Sequence, residues 1–355
     1  MRSAIYKGPR VSQQLPPRKP RARRASAVAA LFALVAAVAV YFYTDYQRFA
    51  DTPVAPLAIA IDVPLGTPLA GVLRELERGG VQTGQSLYWR LLARQMGVGG
   101  RLHAGEYALA PGITPRQLLA KMAAGEVIQH HFIIVEGWSF AQLRAALAQD
   151  IDLKPTLAAD TDADIMRALG DADSPPEGWF LPETYSYVLG MSDMDMLRRV
   201  HEAMHKELDR LWAARAQAQP LQSPYQALIL ASIVEKETTR ADERPQIAGV
   251  FLHRLQLGMK LQTDPSVIYG LGIGYDGKLH RHDLGADTPF NTYTRTGLPP
   301  TPIALPGAAS LAAVLHPATT EALYFVARGD GAHEFSATLE AHNRAVTKYQ
   351  LHQNQ

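Results

Sequence analysis

The run Ala227-Leu228-Ile229-Leu230-Ala231-Ser232-Ile233-Val234 is almost unbroken in its hydrophobicity and ends abruptly in Glu235-Lys236-Glu237-Thr238-Thr239-Arg240. Ser223-Pro224 just ahead of it supplies an N-cap and a first-turn proline, so the spacing predicts a helix that carries an all-apolar middle into a core. A carboxylate emerging from that core is partly desolvated, which raises its pKa and suits it to donate a proton near neutral pH. The plainer alternative is a helix end that has reached water, the usual setting of a charge run. Helical spacing puts Glu235 on a stripe with Ser232, Ala231, Leu228 and Ala227, and Glu237 over Ile233, Leu230 and Ile229. Small residues beneath an acid suggest room for a ligand. The stripe therefore favours Glu235 and leaves Glu237 open.

Composition bounds what lies around this helix. The chain has 355 residues, 47% of them hydrophobic, and a formal net charge of +1. It is long enough for more than one domain and carries no global attraction for nucleic acid. Cysteine is absent, which removes thiol nucleophiles, thiolate metal sites and disulfides together. Charge is uneven only at the start. Arg2, Lys7, Arg10, Arg18, Lys19, Arg21, Arg23 and Arg24 precede an uncharged stretch from Ala25 to Tyr43. Its 19 residues would span roughly 28 Å as a helix, close to the ~30 Å of a bilayer's hydrocarbon. Tyr41, Phe42, Tyr43 and Tyr46 read as an aromatic belt, and the basic arm as the cytoplasmic side. The arm, rich in proline and basic residues, reads as disordered and lying against anionic lipid. Ala37-Val38-Ala39 allows the competing reading of a cleavable signal, but these residues lie inside the apolar run, so the single-pass anchor is preferred.

A compact module follows a short linker. Leu57 to Val63 alternates as a strand, Gly66-Thr67-Pro68 opens a helix, Gln85 to Met96 forms a second, Gly105 to Leu109 is a strand and Pro115 to Ala123 a third helix. Strand, two helices, strand is the order of a small LysM-like carbohydrate-binding module, and equally of a generic linker domain. Gln129 to Val135 begins the next section as a strand, with Ser139 capping the helix Phe140 to Ala148. His130 and His131 are neighbours on that strand, face opposite sides and cannot share a metal. His280, His282 and Asp283 cluster better, but beside Lys278 and Arg281 and without an accompanying His-x-x-x-His helix, so no metal is expected. Arg328-Gly329-Asp330, between strands Leu323 to Ala327 and His333 to Ser336, is the turn of a hairpin.

Toward the C-terminus, polar side chains and aromatics share loops. Gln262-Thr263-Asp264-Pro265-Ser266 follows the helix Pro245 to Leu257 that Gly258 ends, and Tyr269, Tyr275 and Asn291-Thr292-Tyr293-Thr294 come before Gly297-Leu298-Pro299-Pro300. Rings with hydroxyl and amide donors suit a pyranose, which has an apolar face and a rim of hydroxyls. Loops tied down by their own side chains would explain about half of these residues. Three segments are similar to the successive signatures of the YceG-like endolytic murein transglycosylases: Glu177 to Tyr185 (Glu-Gly-Trp-Phe-Leu-Pro-Glu-Thr-Tyr), Ala231 to Thr238, and Leu261 to Gly270. Asn291-Thr292-Tyr293, Gly297 to Pro300, Pro302-Ile303, Pro306-Gly307, His316-Pro317, Tyr324-Phe325-Val326 and His342-Asn343 continue in the same order. The arm and the segment Asp150 to Asp173 are not part of this resemblance.

The resemblance implies a membrane-anchored enzyme that cuts peptidoglycan strands internally, between N-acetylmuramic acid and N-acetylglucosamine, with no cofactor. Carried onto this chain it gives Glu235 as the catalytic acid and later base, closing a 1,6-anhydro ring. Gln262, Thr263, Asp264 and Asn291 would line the glycan cleft, Tyr269 and Tyr293 would be stacking platforms, and Glu183 would support the loop beside it or hold a turn. Partners implied are the glycan strands, the cytoplasmic membrane and peptidoglycan synthases. Two rivals remain: a non-catalytic peptidoglycan-binding scaffold, and a two-carboxylate glycoside hydrolase using Asp264 or Glu237 beside Glu235. The expected architecture is α+β: arm 1–24, transmembrane helix 25–43, linker 44–56, LysM-like module 57–126 and catalytic domain 127–355, in the inner membrane with the catalytic part in the periplasm.

Overall fold

The computed structural model describes residues 21–216 and 219–351; the first twenty residues of the expected basic arm lie outside the described residues. The chain divides into two compact units, one ending at Val127 and the other beginning at Ile128.

The first unit opens with helix α1 (Arg21–Asp51). Its segment Ser26–Asp51 is long and apolar enough to cross a membrane, and Leu31, Phe32, Leu34 and Val35 lie exposed along it. The helix runs eight residues past the expected end at Tyr43, through most of the expected linker. No glycine or proline interrupts it before Pro53, and its last turns have a packing surface. Tyr46 meets Tyr88 edge-on at 5.9 Å between centroids, Phe49 meets Trp89 at 5.5 Å, and the Tyr88 hydroxyl donates to Asp45 Oδ2 at 2.7 Å. Tyr46, one of the aromatics of the expected belt, therefore packs on protein. Strand β1 (Ile59–Val63) follows, then α2 (Leu69–Arg78), α3 (Ser86–Met96), β2 (Gly105–Leu109) and α4 (Pro115–Ala124). β1 and β2 pair antiparallel, with Ile61 opposite Tyr107. Alternation along β1 buries Ile61 and Val63 against Leu73, Leu76, Trp89 and Leu92.

The second unit is mixed helix and strand: β3 (His130–Ile133), α5 (Phe140–Gln149), α6 (Asp162–Leu169), β4 (Thr184–Tyr187), α7 (Asp193–Ala213), α8 (Pro224–Glu237), α9 (Arg244–Gln256), α10 (Asp264–Leu271), α11 (Arg281–Gly285), α12 (Ala308–Leu315), β5 (Tyr324–Ala327), β6 (His333–Ser336) and α13 (Leu339–Val346). β3 pairs antiparallel with β4, and β5 with β6. Helix α8 is the run that opened the sequence reading. Ser223 caps it through Gln226 N, and every residue from Ala227 to Glu235 is buried. Each fully buried leucine or isoleucine of this kind contributes about 1.5–3 kcal/mol. Helices α7, α9, α10 and α12 pack around α8, so its last turn is held rigidly where it leaves the core.

Candidate active site

The last turn of α8 sends its two carboxylates in different directions. Glu235 points into protein: Oε1 accepts from Arg244 Nη2 at 3.0 Å and Oε2 accepts from the Gly307 amide at 2.9 Å. Arg244 also reaches Glu136 Oε2 at 3.1 Å. The Glu235 and Arg244 side chains are only 4% and 9% exposed, so the pair is shut away from solvent. The stripe of small residues beneath Glu235 makes room for the chain segment that carries Ile303 and Gly307. Ser232 Oγ accepts from Ile303 N at 2.9 Å while donating to Ile229 O at 2.7 Å. Gly307 comes so near that a Cβ there would lie 2.1 Å from Glu136 Oε1. Glu235, the expected catalytic acid, is not among the residues that wall the cleft described next.

Glu237, half-buried, does line it. The cleft, about 510 Å³ in volume, is walled by Glu237, Arg254, Gln262, Asp264, Tyr293, Tyr324, His333 and His342, among others. That volume falls in the range of small-ligand sites. Burial pushes the Glu237 carboxyl up to about 7; the Thr263 hydrogen bond opposes the rise, the Asp264 charge adds to it, and His333 and Arg254 oppose it. The group can thus hold a proton near neutral pH and release it there, the property a general acid and base needs.

Two loops position its neighbours. Thr263 is the N-cap residue of α10, yet its hydroxyl goes to Glu237 Oε1 and makes no cap bond. Gln262 is the one non-glycine among the described residues with positive φ, at 51°, a left-handed conformation that costs of order 1 kcal/mol and is found where function requires it. Thr292 ties this loop to the next: its hydroxyl accepts from Thr263 N at 3.0 Å and lies 2.9 Å from Ser266 Oγ, while its carbonyl accepts from Gln262 N at 3.2 Å. The Tyr293 hydroxyl donates to Asp264 Oδ1, and burial raises its phenol pKa. Beneath them Arg254 is buried. Its Nε donates to Leu323 O at 2.6 Å, its Nη1 to Leu261 O at 2.7 Å, and its guanidinium lies 5.2 Å from the Tyr324 ring centre.

Of the expected site residues, the cleft brings together Gln262, Asp264 and Tyr293, with Thr263 just behind Glu237. The others fall elsewhere. Asn291 is 1% exposed, and its amide is spent on backbone groups of α11 and the loop after it. Nδ2 donates to the carbonyls of Asp283, Leu284 and Ala286, and Oδ1 accepts from Tyr293 N at 2.8 Å. It clamps the loop that carries Tyr293 and is closed off from solvent. The Tyr269 ring packs on Phe290 and its hydroxyl donates to Glu177 Oε2 at 3.1 Å, outside the cleft. Glu183 is exposed, and its carbonyl accepts from Ile134 N at 3.0 Å, continuing the β3–β4 pairing. Sequence reasoning did not single out Arg254 and His333 in the cleft walls, and it placed Tyr324 and His342, also in the walls, and Glu177 only within the family signatures. The last is a buried carboxylate that burial pushes up to about 7, against hydrogen bonds from Phe140 N and Tyr269. It secures the start of α5 and does not line the cleft. His280 contacts Asp276 at 3.1 Å and His282 contacts Asp283 at 3.2 Å, local pairs that do not converge on one point.

The chain belongs to the YceG-like family, whose family model matches residues 61–348. It is similar to a Bacillus subtilis protein named endolytic murein transglycosylase, at 30% identity over 312 residues, 82% of this chain and 84% of that protein. A Streptococcus pneumoniae protein of the same name is 25% identical over 324 residues, which cover 82% of this chain and 58% of the relative. A crystal structure of a YceG-like protein from Listeria monocytogenes aligns with a TM-score of 0.49 at 28% identity, over 81% of this chain and 98% of that one.

Proposed function

We propose that this protein is a lytic transglycosylase that cuts peptidoglycan strands internally at the β-1,4 bond between N-acetylmuramic acid and N-acetylglucosamine, with Glu237 as the acid. The observation that carries the assignment is the position of Glu237 in a polar, aromatic-walled cleft with its carboxyl pushed up to about 7. Glu235, buried in its ion pair with Arg244, positions the end of the helix instead.

In this reading protonated Glu237 gives its proton to the bridging oxygen as the bond from the muramyl anomeric carbon to that oxygen breaks. The muramyl 6-hydroxyl then closes on the anomeric carbon, and the Glu237 carboxylate takes up the hydroxyl proton. The product end is a 1,6-anhydro ring, no water is consumed, and one carboxyl serves as acid and then base. Proton transfer by a positioned group is worth about 10²- to 10⁴-fold, and the intramolecular nucleophile adds effective concentration. Thr263 orients the carboxyl, Asp264 and Tyr293 form one wall for positive charge developing at the anomeric carbon, and Gln262 offers an amide to the sugar's hydroxyls. Apolar surface on Tyr324 and Phe325 suits the face of a pyranose.

A two-carboxylate hydrolase is the second reading, favoured by Asp264 sharing the cleft with Glu237. Mass spectrometry of products from purified peptidoglycan separates the two: internal fragments with 1,6-anhydromuramyl ends are the expected result, and reducing ends would establish the hydrolase. Binding without cleavage would mean a scaffold. The same proposal has α1 anchoring the enzyme in the cytoplasmic membrane with its basic arm inside and the cleft outside, in reach of peptidoglycan synthases. The order β1-α2-α3-β2, with the strands antiparallel, supports a LysM-like, glycan-binding role for the first unit.

A further inference from the structure

Away from the cleft, three metal-ligating side chains converge. Asp171 follows the C-terminus of α6, and His201 and His205 stand one turn apart on α7, the i and i+4 spacing that puts both rings on one face. The two Nε2 atoms are 3.2 Å apart, and Asp171 Oδ2 lies 3.6 Å from the first and 3.7 Å from the second. A point equidistant from these three atoms is about 2.0 Å from each, which matches zinc's bond lengths of about 2.0–2.2 Å to imidazole nitrogen and carboxylate oxygen.

The surroundings are those of a prepared site. Asp171 Oδ1 accepts from Ser174 Oγ at 2.7 Å, and the Asp171 amide donates to Met166 O at 2.9 Å, so the carboxylate is oriented by its own turn. Oδ2, the oxygen aimed at the histidines, is buried and has no hydrogen-bond partner. Trp179 stacks on the His205 ring at 4.4 Å with the planes 15° apart, fixing that ligand from behind. Outer contacts that hold ligands in place are a regular part of metal sites. His201 is nearly buried while the His205 and Asp171 side chains are 40% and 27% exposed, so the trio sits at the edge of the core.

We propose that Asp171, His201 and His205 bind one zinc ion, which cross-links the turn after α6 to α7. None of the three lines the Glu237 cleft, so the site is structural and separate from glycan chemistry. Two imidazoles and one carboxylate favour zinc over magnesium or calcium, which prefer all-oxygen sets.

The test uses the full chain in detergent, with a tag free of histidine, stripped by chelator and titrated with zinc chloride against a chromophoric competitor. Cobalt(II) serves as a spectroscopic stand-in. The expected result is one zinc per chain, four-coordinate cobalt bands and a raised Tm with zinc but not with magnesium. Asp171→Asn and His205→Gln should each weaken zinc binding at least about tenfold and abolish the cobalt bands, while His282→Gln should leave both unchanged. Both ligand variants replace partly exposed groups, and circular dichroism verifies that they fold. No stoichiometric uptake by the parent chain, or uptake that survives both ligand substitutions, would overturn the proposal and leave the trio as a hydrogen-bonded cluster.

Discussion

Glu235 and Glu237 stand two residues apart at the end of one helix and have opposite surroundings. Glu235 has both oxygens occupied by Arg244 and the Gly307 amide in a closed pocket. Glu237 has one hydroxyl partner, Thr263, and faces a cleft. The comparison teaches that burial of a carboxylate is not enough to make it an acid catalyst. A buried carboxylate with a full set of partners holds structure; one that is desolvated yet reachable is available for chemistry.

The comparison can be broken most directly at Glu237. Glu237→Gln should reduce glycan cleavage by at least about 10²-fold without loss of folding. Linkage gives a second readout. The Glu237 carboxyl is raised from 4.5 to about 7 in the folded state, so the folded protein holds this proton more tightly. Its contribution is favourable below the unfolded pKa and is lost as pH rises through about 7. The Tm of Glu237→Gln should therefore gain on that of the parent chain between pH 5 and pH 8.

The opposite outcome is expected at Glu235. Removing Glu235 leaves the Gly307 amide unpaired and the buried Arg244 with only the half-exposed Glu136 as counter-charge, so Glu235→Ala should cost about 3 kcal/mol in a denaturant titration. Replacing both partners by apolar residues, Glu235→Leu with Arg244→Met, should recover most of that loss. A smaller effect is expected at Asn291, where truncation to alanine strands three carbonyls and should cost about 1–3 kcal/mol. Its loss of activity should track the loss of folded protein, with KM little changed, because the residue clamps a loop. The smallest change sharpens the comparison instead. Thr263→Val removes the hydrogen bond that holds the Glu237 pKa down, so the pH-rate limb near 7 should move upward at a stability cost of about 1 kcal/mol.

Much of the frame was legible because local chemistry decides it. Ser223-Pro224 starts α8 where the capping rule puts it, and the alternation in 57–63 and 129–135 places β1 and β3 to within two residues at each end. The orientation of the last turn of α8 was not legible, since the segment that fills the small-residue stripe comes from Ile303 and Gly307, some seventy residues later. Nothing within 227–237 tells a stripe that admits a ligand from one that admits a loop. The same holds for Asn291, whose amide looks like a sugar ligand until its three carbonyl partners are seen. The extension of α1 depends on Tyr88 and Trp89, residues far along the chain from Asp45 and Phe49. The His201–His205 pair carried a visible helical spacing, but its third member lies thirty residues upstream of His201.

The most direct test of the account is the initial rate of glycan cleavage by Glu237→Gln and Glu235→Gln, measured side by side at a temperature where circular dichroism finds both folded. The account predicts that Glu237→Gln releases no anhydro-ended fragments while Glu235→Gln retains cleavage in proportion to its folded fraction. Cleavage that survives in Glu237→Gln and vanishes in folded Glu235→Gln would contradict it.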